Sequence, residues 1–555
     1  MTTELLPFQQ LEKLTQQHPD IIFLRQPVND VWQELSYQDV LNQVRKIANS
    51  LLAMGLAVDD KVAIFSKNCS QWLIADWAIG LAGGISVPLY PAADNDSIEY
   101  VMQHSGAKIV FVGKLDNAEQ YQDCFADGIT KIGLPYDTIR VDKTWADMLT
   151  MQPDETSMPT RNLDDVMTII YTSGSTGQPK GVVLTYKSYI SGCYNYADNI
   201  HHAVPLSSER YLSYLPLAHI TERVLGQGLS LYIDKVNARL QISFVESLAT
   251  FADNLRDVAP TIFVSVPRLW QKFQSGVLAK VPQTKLSLLL HIPFIKDLIK
   301  NKIKKGLGFQ HTRIFASGSA PIAPSLLSWY ETLDINIAQG WGMSETNAAG
   351  TTQLPYRSDK RNTIGKALDG ATIRIGDDNE IQIKGDFLLK EYYLEPEKTK
   401  AAFTDDGYFK TGDQGKMDDE GYIQIIGRIK DIFKTSKGKY VVPAPIEAVL
   451  AKCTLLEQIC VVGNNLKQPV VLAVLSESAE NIPKEKISRT LEALLDEVNQ
   501  DLDKHEKLDG MWILNTPWTP ENELMTPTLK IRRQHIEKHL QAIYEQPLNQ
   551  RISWQ

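Results

Sequence analysis

The segment Tyr171-Thr-Ser-Gly-Ser-Thr-Gly-Gln-Pro-Lys-Gly181 gathers four small hydroxyl residues, the glycines Gly174 and Gly177, and one lysine behind an apolar run, Val166-Met-Thr-Ile-Ile170. Glycines let backbone N–H groups turn into a common concavity, which binds anions. The hydroxyls of Thr172, Ser173, Ser175 and Thr176 add donors, and Lys180 adds a point charge suited to phosphate. The chemistry implied is polyphosphate binding. The segment is not a Walker A loop, in which the lysine stands between Gly and Ser/Thr; here Lys180 follows Pro179 and precedes Gly181. It also lacks G-x-G-x-x-G, so a dinucleotide fingerprint is not supported. A Ser/Gly linker is the competing reading. The apolar resumption at Val182-Val-Leu184 argues for a turn between two strands instead.

Around this loop the apolar pattern alternates between helical and extended periods. Residues 39–54 read as an amphipathic helix, 61–65 as a strand and 71–81 as a helix, with further strands at 85–89 and 108–112. That is the βαβ rhythm of an α/β domain with a largely parallel sheet. After Gly365 the character changes. Residues 372–384 alternate apolar and polar about a turn, as in an antiparallel hairpin, and Gly421-Tyr-Ile-Gln-Ile-Ile-Gly427 does the same. From about Lys430, helical stretches (445–452, 486–504) alternate with strands (459–462, 470–475), marking a second, smaller α+β domain.

A hydrophobic fraction of 43% and a charged fraction of 22% are those of an ordinary globular protein. The net charge of −9 gives no footprint for nucleic acid, so none is expected as a partner. On an acidic protein, recruitment of a polyanion falls to local cations, which raises the weight on Lys180. Five scattered cysteines without a C-x-x-C spacing argue against zinc and disulfide frameworks, and a reducing, cytoplasmic setting is expected. The N-terminal residues show no basic segment followed by an apolar core, so no signal peptide is read there. Residues 72–90 are apolar enough to resemble a membrane span. Asp76 within them and the break at Gly83-Gly84 favour a buried helix running into a strand.

Several further segments follow the loop in order: Leu215-Pro-Leu-Ala-His-Ile-Thr-Glu-Arg223, Pro260-Thr-Ile-Phe-Val-Ser-Val-Pro-Arg-Leu-Trp270, Ser317-Gly-Ser-Ala-Pro321, Gln339-Gly-Trp-Gly-Met-Ser-Glu-Thr346, Tyr408-Phe-Lys-Thr-Gly-Asp413, Gly427-Arg-Ile-Lys-Asp431 and Met525-Thr-Pro-Thr-Leu-Lys530. In this order they resemble the adenylate-forming (AMP-binding) superfamily, from about Trp32 to Lys530. The Leu215-to-Arg223 segment and the ending Thr526-Pro-Thr-Leu-Lys530 resemble its long-chain fatty acyl-CoA synthetase branch.

The resemblance implies an α/β fold. A large N-terminal domain (1–428) of layered α/β subdomains with a β-barrel-like subdomain would precede a small mobile α+β C-terminal domain (429–555). It implies a reaction in which a carboxylate, here a medium- to long-chain fatty acid, attacks ATP to give acyl-AMP and pyrophosphate, after which coenzyme A displaces AMP. Thr172, Ser173, Gly174, Ser175, Thr176, Gly177 and Lys180 would hold the outer phosphates, with Mg2+ bridging phosphates through Thr172 and Glu345. Gly318, Ser319, Ala320, Gln339, Gly340, Trp341, Gly342 and Ser344 would bind the nucleotide, with Trp341 lying against the adenine where relatives carry Tyr and the edge of Gly318, Ser319 and Ala320 packed close to the base. Asp413 would accept the ribose hydroxyls and Arg428 would add a charged contact. Lys530 would be the adenylation lysine and Lys430 the hinge. His219 would line the acyl or pantetheine passage; a core histidine is the alternative. Tyr186 and Glu391 depart from the family pattern and put acid or thiol preference in doubt.

Two matters stay open at this stage. Residues 286–305 combine apolar residues with lysines and one acid, Asp297. Such a face could meet a bilayer, placing the protein at the inner membrane surface; an amphipathic helix packed on the domain is the favoured alternative. The acyl acceptor could be a separate carrier protein instead of CoA, and the acid an aromatic or bile acid. A lipid-binding protein without turnover and a light-emitting oxygenase are remoter readings. Oligomeric state is not legible.

Overall fold

The computed structural model describes residues 4–151, 158–172, 178–480, 482–526, 530–546, 548 and 550–555. Two large sheets form the N-terminal part. The first has eight strands and is parallel through its centre: Ile85–Leu89, Lys61–Phe65, Ile109–Val112 and Thr130–Gly133 lie side by side. At one side it is continued by Val166–Thr172, then Lys180–Thr185 and Glu391–Tyr392, the last two added antiparallel. The second sheet, of nine strands, is parallel from Arg239–Phe244 through Ser208–Ser213, Ile262–Ser265 and Ile314–Ser317 to Ile337–Trp341.

The strands of the first sheet are continuous apolar runs because both faces are covered. In Lys61–Phe65, Val62 and Ile64 join one core cluster, and Ala63 and Phe65 join another. The helix Tyr37–Ala53 packs on this layer and begins at a capping box, with Ser36 accepting from the Asp39 N–H and Asp39 accepting from that of Ser36.

The membrane-like stretch 72–90 is the buried helix Ser70–Leu81 followed by the strand Ile85–Leu89. Its one acid is paired. Arg223 donates twice to Asp76 at 2.9 and 2.8 Å, Gln227 donates to the same carboxylate at 2.7 Å, and Arg223 also reaches Ser86 and Thr168. Both charges are inaccessible to water; both Asp76 oxygens are engaged, which a buried pair requires, while Arg223 Nε has no partner among the described residues. Among the described residues no helix is long and apolar enough to cross a membrane.

A four-stranded antiparallel sheet follows: Thr372–Ile375, Glu380–Lys384, Phe409–Met417 and Ile423–Arg428. It contains the hairpin expected at 372–384. The C-terminal part builds a separate four-stranded sheet from Leu456–Val462, Val470–Leu475, Met511–Leu514 and Ile552–Trp554. Ile459 and Val461 face a cluster with Leu491 and Leu495 of the helix Lys484–Gln500, while Cys460 and Val462 face Ile536 and Tyr544 of the helix Arg533–Tyr544. The alternation explains why these strands read as apolar throughout.

One sequence expectation is corrected. Residues 286–305 form no single amphipathic helix but parts of two, Gln283–His291 and Ile295–Gly306. Pro293 lacks an N–H and cannot continue the first helix, and Phe294 takes a φ of 65°.

Candidate active site

The phosphate-type loop is a hairpin connection. Strands Val166–Thr172 and Lys180–Thr185 pair antiparallel, with Tyr171 opposite Gly181 and Thr172 opposite Lys180. This register sets Thr172 directly across from Lys180 at the mouth of the connection. The loop residues Ser173, Gly174, Ser175, Thr176 and Gly177 lie outside the described residues. The Thr172 hydroxyl is buried and has no hydrogen-bond partner among the described residues, an arrangement that costs free energy unless another group or a water completes it.

Lys180 does not point into solvent. Its Nζ donates to Glu345 Oε1 at 3.1 Å and to the Tyr392 hydroxyl at 3.0 Å, and lies 4.2 Å from the centre of the Tyr392 ring. Tyr392 in turn donates to Glu345 Oε1 at 2.8 Å. Burial and the adjacent Glu345 charge raise the Tyr392 phenol far above its usual range, so it stays a donor. Glu345 sits in the short turn Ser344–Thr346, whose position is locked by Leu389 N–H donating to the Glu345 carbonyl at 2.8 Å. Gly342 approaches this turn so closely that a Cβ there would collide with the Ala348 carbonyl, so only glycine fits.

A second group forms where the nine-stranded sheet meets the antiparallel sheet. Trp341 ends the strand Ile337–Trp341, and its indole N–H donates to Asp413 Oδ2 at 2.9 Å. Asp413 lies opposite Arg428 in the antiparallel pairing, and Arg428 Nε donates to Asp413 Oδ1 at 3.0 Å. The charge of Asp413, followed by those of Asp431 and Glu345, raises the Arg428 guanidinium against the effect of burial. Gly318 follows the neighbouring strand Ile314–Ser317, Ser319 holds a φ of 67°, and Ala320 is exposed. The Gly318 Cα faces the Gly340 carbonyl, leaving little room for a side chain between the two strand ends. Gln339 spends its side chain on structure: its amide donates to the carbonyls of Arg361 and Thr363 at 2.7 and 2.9 Å.

Lys530 enters from the C-terminal part. Its N–H donates to Thr526 Oγ1 at 3.0 Å, and its carbonyl accepts from Thr526 N–H at 2.8 Å. Burial lowers its ammonium to about 8, helped by Arg428 and opposed by Asp413 and Glu345. Those named charges place Lys530 in the electrostatic field of both groups described above. His219 caps the short helix Ile220–Glu222, accepting from Thr221 N–H through Nδ1 at 3.2 Å. Burial, with a smaller contribution from Lys530, holds His219 down to about 3. The imidazole is therefore neutral at physiological pH, with its remaining proton on Nε2. Lys430 is exposed in the turn Ile429–Asp431, between the antiparallel sheet and the C-terminal part.

The structure thus brings together Lys180 with Glu345, and Trp341 and Arg428 with Asp413; the Lys530 ammonium feels the charges of Arg428, Asp413 and Glu345. Gln339 and His219 have their own structural hydrogen bonds. Tyr392 was missed as a site residue. Its only signal in the sequence is its place in Glu391-Tyr-Tyr393, where attention falls on the unusual Glu391. Tyr186 stands well inside the core, edge-on to Phe8 at 6.2 Å and with its hydroxyl over Gly80; Glu391 is exposed on the edge strand.

Comparison with known proteins assigns the class. The model of the AMP-binding enzyme family matches residues 11–393, and that of the AMP-binding enzyme C-terminal domain matches residues 430–547. The chain belongs to the AMP-binding enzyme family. It is 28% identical to a long-chain-fatty-acid–CoA ligase of Mycobacterium bovis, the alignment covering 95% of each chain. It is 26% identical to long chain acyl-CoA synthetase 5 of Arabidopsis thaliana, over 92% of this chain and 86% of that one. Among solved structures, the adenylation domain of a Mycobacterium chelonae carboxylate reductase aligns with a TM-score of 0.78 at 19% identity, covering 98% of this chain and 92% of that one. The o-succinylbenzoate coenzyme A synthetase of Bacillus subtilis, in complex with AMP, aligns at 0.73 and 20%, covering 96% and 98%.

Proposed function

We propose that this protein activates a medium- to long-chain fatty acid in two steps, through acyl-AMP to acyl-CoA. The observation that supports the reading is Glu345 tied to Lys180 and Asp413 held by Trp341 and Arg428, with the Lys530 ammonium under the influence of the charges of both groups. The substrate class rests on the printed names of the Mycobacterium bovis and Arabidopsis relatives, which align over nearly their whole lengths.

In the first step an oxygen of the carboxylate bonds to the α-phosphorus of ATP, and the bond from that phosphorus to the β-bridging oxygen breaks. Pyrophosphate leaves. Two anions must approach each other, so the catalytic task is charge neutralisation by groups already in position. Lys180 and the loop from Thr172 would hold the outer phosphates. Lys530, protonated below about pH 8, would neutralise the α-phosphate and the incoming carboxylate. Asp413 has both oxygens engaged by Trp341 and Arg428, which fixes the carboxylate for the ribose hydroxyls; Trp341 and the edge Gly318-Ser319-Ala320 would flank the base.

In the second step the CoA sulfur attacks the acyl carbon, the thiol proton is released and AMP leaves. Lys430 would be the hinge for the change of pose between the steps, and His219, neutral, would line the passage. Magnesium needs oxygen ligands and tolerates a site with one or two protein donors, the rest being phosphates and water. The Thr172 hydroxyl, without a partner among the described residues, and the buried Glu345 carboxylate fit that requirement. When bound, the ion would neutralise phosphate charge.

The test is carboxylate-dependent exchange of labelled pyrophosphate into ATP, followed by CoA addition, across fatty, bile and aromatic acids. Exchange with fatty acids and thioester formation on adding CoA are expected. Exchange confined to aromatic or bile acids would overturn the substrate class, and no exchange with any acid would overturn the reaction.

A further inference from the structure

The helices Gln283–His291 and Ile295–Gly306 pack against each other and join through Ile292, Pro293 and Phe294. Residues 291–298, which contain the join, are all exposed. Five large apolar side chains crowd this end: Leu288 is 65% exposed, Phe294 91% and Leu298 67%, with Ile292 and Ile295 above one third. Phe294 takes a positive φ at the join, and its ring stands exposed.

The inward and outward faces differ sharply. Ile299 and Ile303 pack against the core cluster around Trp270 and Phe309, and Lys300 is tied to Asp334 at 2.9 Å. Leu298, Lys302 and Lys305, spaced four and three apart, share the outward face of their helix. On the partner helix Leu288 and Lys285 are likewise one turn apart. Both helices therefore carry the apolar residue nearer the tip and the lysine farther back. Lys285, Lys296, Lys302 and Lys305 are all exposed. Across 283–306 six lysines stand against one aspartate, Asp297, on a chain whose net charge is −9.

We propose that this helical pair is a docking surface for an anionic lipid bilayer, with the apolar tip entering the headgroup–acyl boundary and the lysines facing the phosphates. An apolar end backed by a basic collar matches the layered chemistry of a membrane surface. A second copy of the same face would bring like charges together, which disfavours self-association there. The inference is independent of the catalytic reading, since none of these residues belongs to the site described above.

The intact protein is sedimented with vesicles of equimolar phosphatidylglycerol and phosphatidylcholine, and with phosphatidylcholine vesicles alone, at low and high salt. Binding to the anionic vesicles alone, weakened by salt, is expected. The double variant Lys302→Glu/Lys305→Glu should lower that affinity by roughly tenfold or more, and Phe294→Ser/Leu298→Ser by about tenfold. Thermal melting of each variant should match the parent, because these side chains are exposed. In Phe294→Trp, the added tryptophan's emission should shift to the blue on anionic vesicles. Absence of binding, binding indifferent to lipid charge, or equal binding by the double variants would overturn the proposal. Self-association abolished by Phe294→Ser/Leu298→Ser, without vesicle binding, would assign the face to a second copy instead.

Discussion

The two lysines of the candidate site are held in opposite ways. Lys180 lies in a strand, in register with Thr172, and its ammonium is already engaged by Glu345 and Tyr392. Lys530 lies some 350 residues further on, supported at its backbone by Thr526, in the part of the chain that builds a separate sheet. One cation belongs to the hairpin of the first sheet; the other, in the proposed mechanism, is delivered by the part of the chain that builds its own sheet. A preorganised charge can serve every step that needs phosphate, whereas a delivered charge can serve one step and be withdrawn for the next.

The sharpest way to break this comparison is Lys530→Ala. Formation of acyl-AMP should fall by about 10²–10³, while conversion of supplied acyl-AMP to thioester stays within a fewfold of the parent. Equal damage to both half-reactions, measured by pyrophosphate release and by thioester formation, would show that Lys530 is as fixed as Lys180. Lys180→Met should cost kcat/KM for ATP roughly tenfold to a hundredfold, the range of one charged hydrogen bond.

The pH profile separates the two cations further. Lys530 acts as an ammonium, and its value of about 8 lies below that of an ordinary lysine. Its active form is complete below pH 8 and is lost as pH rises, so kcat/KM for adenylation should fall about tenfold per pH unit above about 8. The variant Lys530→Arg should lack that alkaline limb, and a parent profile flat to pH 10 would refute the assignment. His219, held near 3, should add no limb between pH 5 and 8. The smallest effect is expected from Tyr392→Phe: roughly threefold to tenfold in ATP use, and less than additive with Lys180→Met because both contact one carboxylate oxygen.

Legibility in the sequence followed the range of the interaction. The strands at 61–65 and 85–89 read directly, because continuous apolar runs between turn signals record burial on both faces. The 372–384 hairpin read from its alternation. Residues 286–305 were misread as one helix, because the lysine and leucine spacing hid what Pro293 does to the chain. Long-range polar partners were not legible at all. Nothing near Lys180 announces Tyr392, 212 positions away, and nothing near Trp341 shows that its N–H is directed at Asp413. Gln339, drawn into the site by its neighbours in the motif, spends its amide on the carbonyls of Arg361 and Thr363. A motif marks where a segment lies, not which of its side chains remain available.

The buried pair of Asp76 and Arg223 has a consequence in time. The two are 147 residues apart, so on a ribosome adding about 5–20 residues per second the aspartate waits on the order of 7–30 s for its partner. Throughout that interval the most apolar stretch of the nascent chain carries a naked carboxylate near the middle of its helix. Placing such a group at the centre of an inserted helix costs about 2.5–3.5 kcal/mol, enough to offset the contribution of several leucines. The carboxylate that joins the folded core is thus, before its partner is made, a charge that disfavours insertion of this stretch into a bilayer.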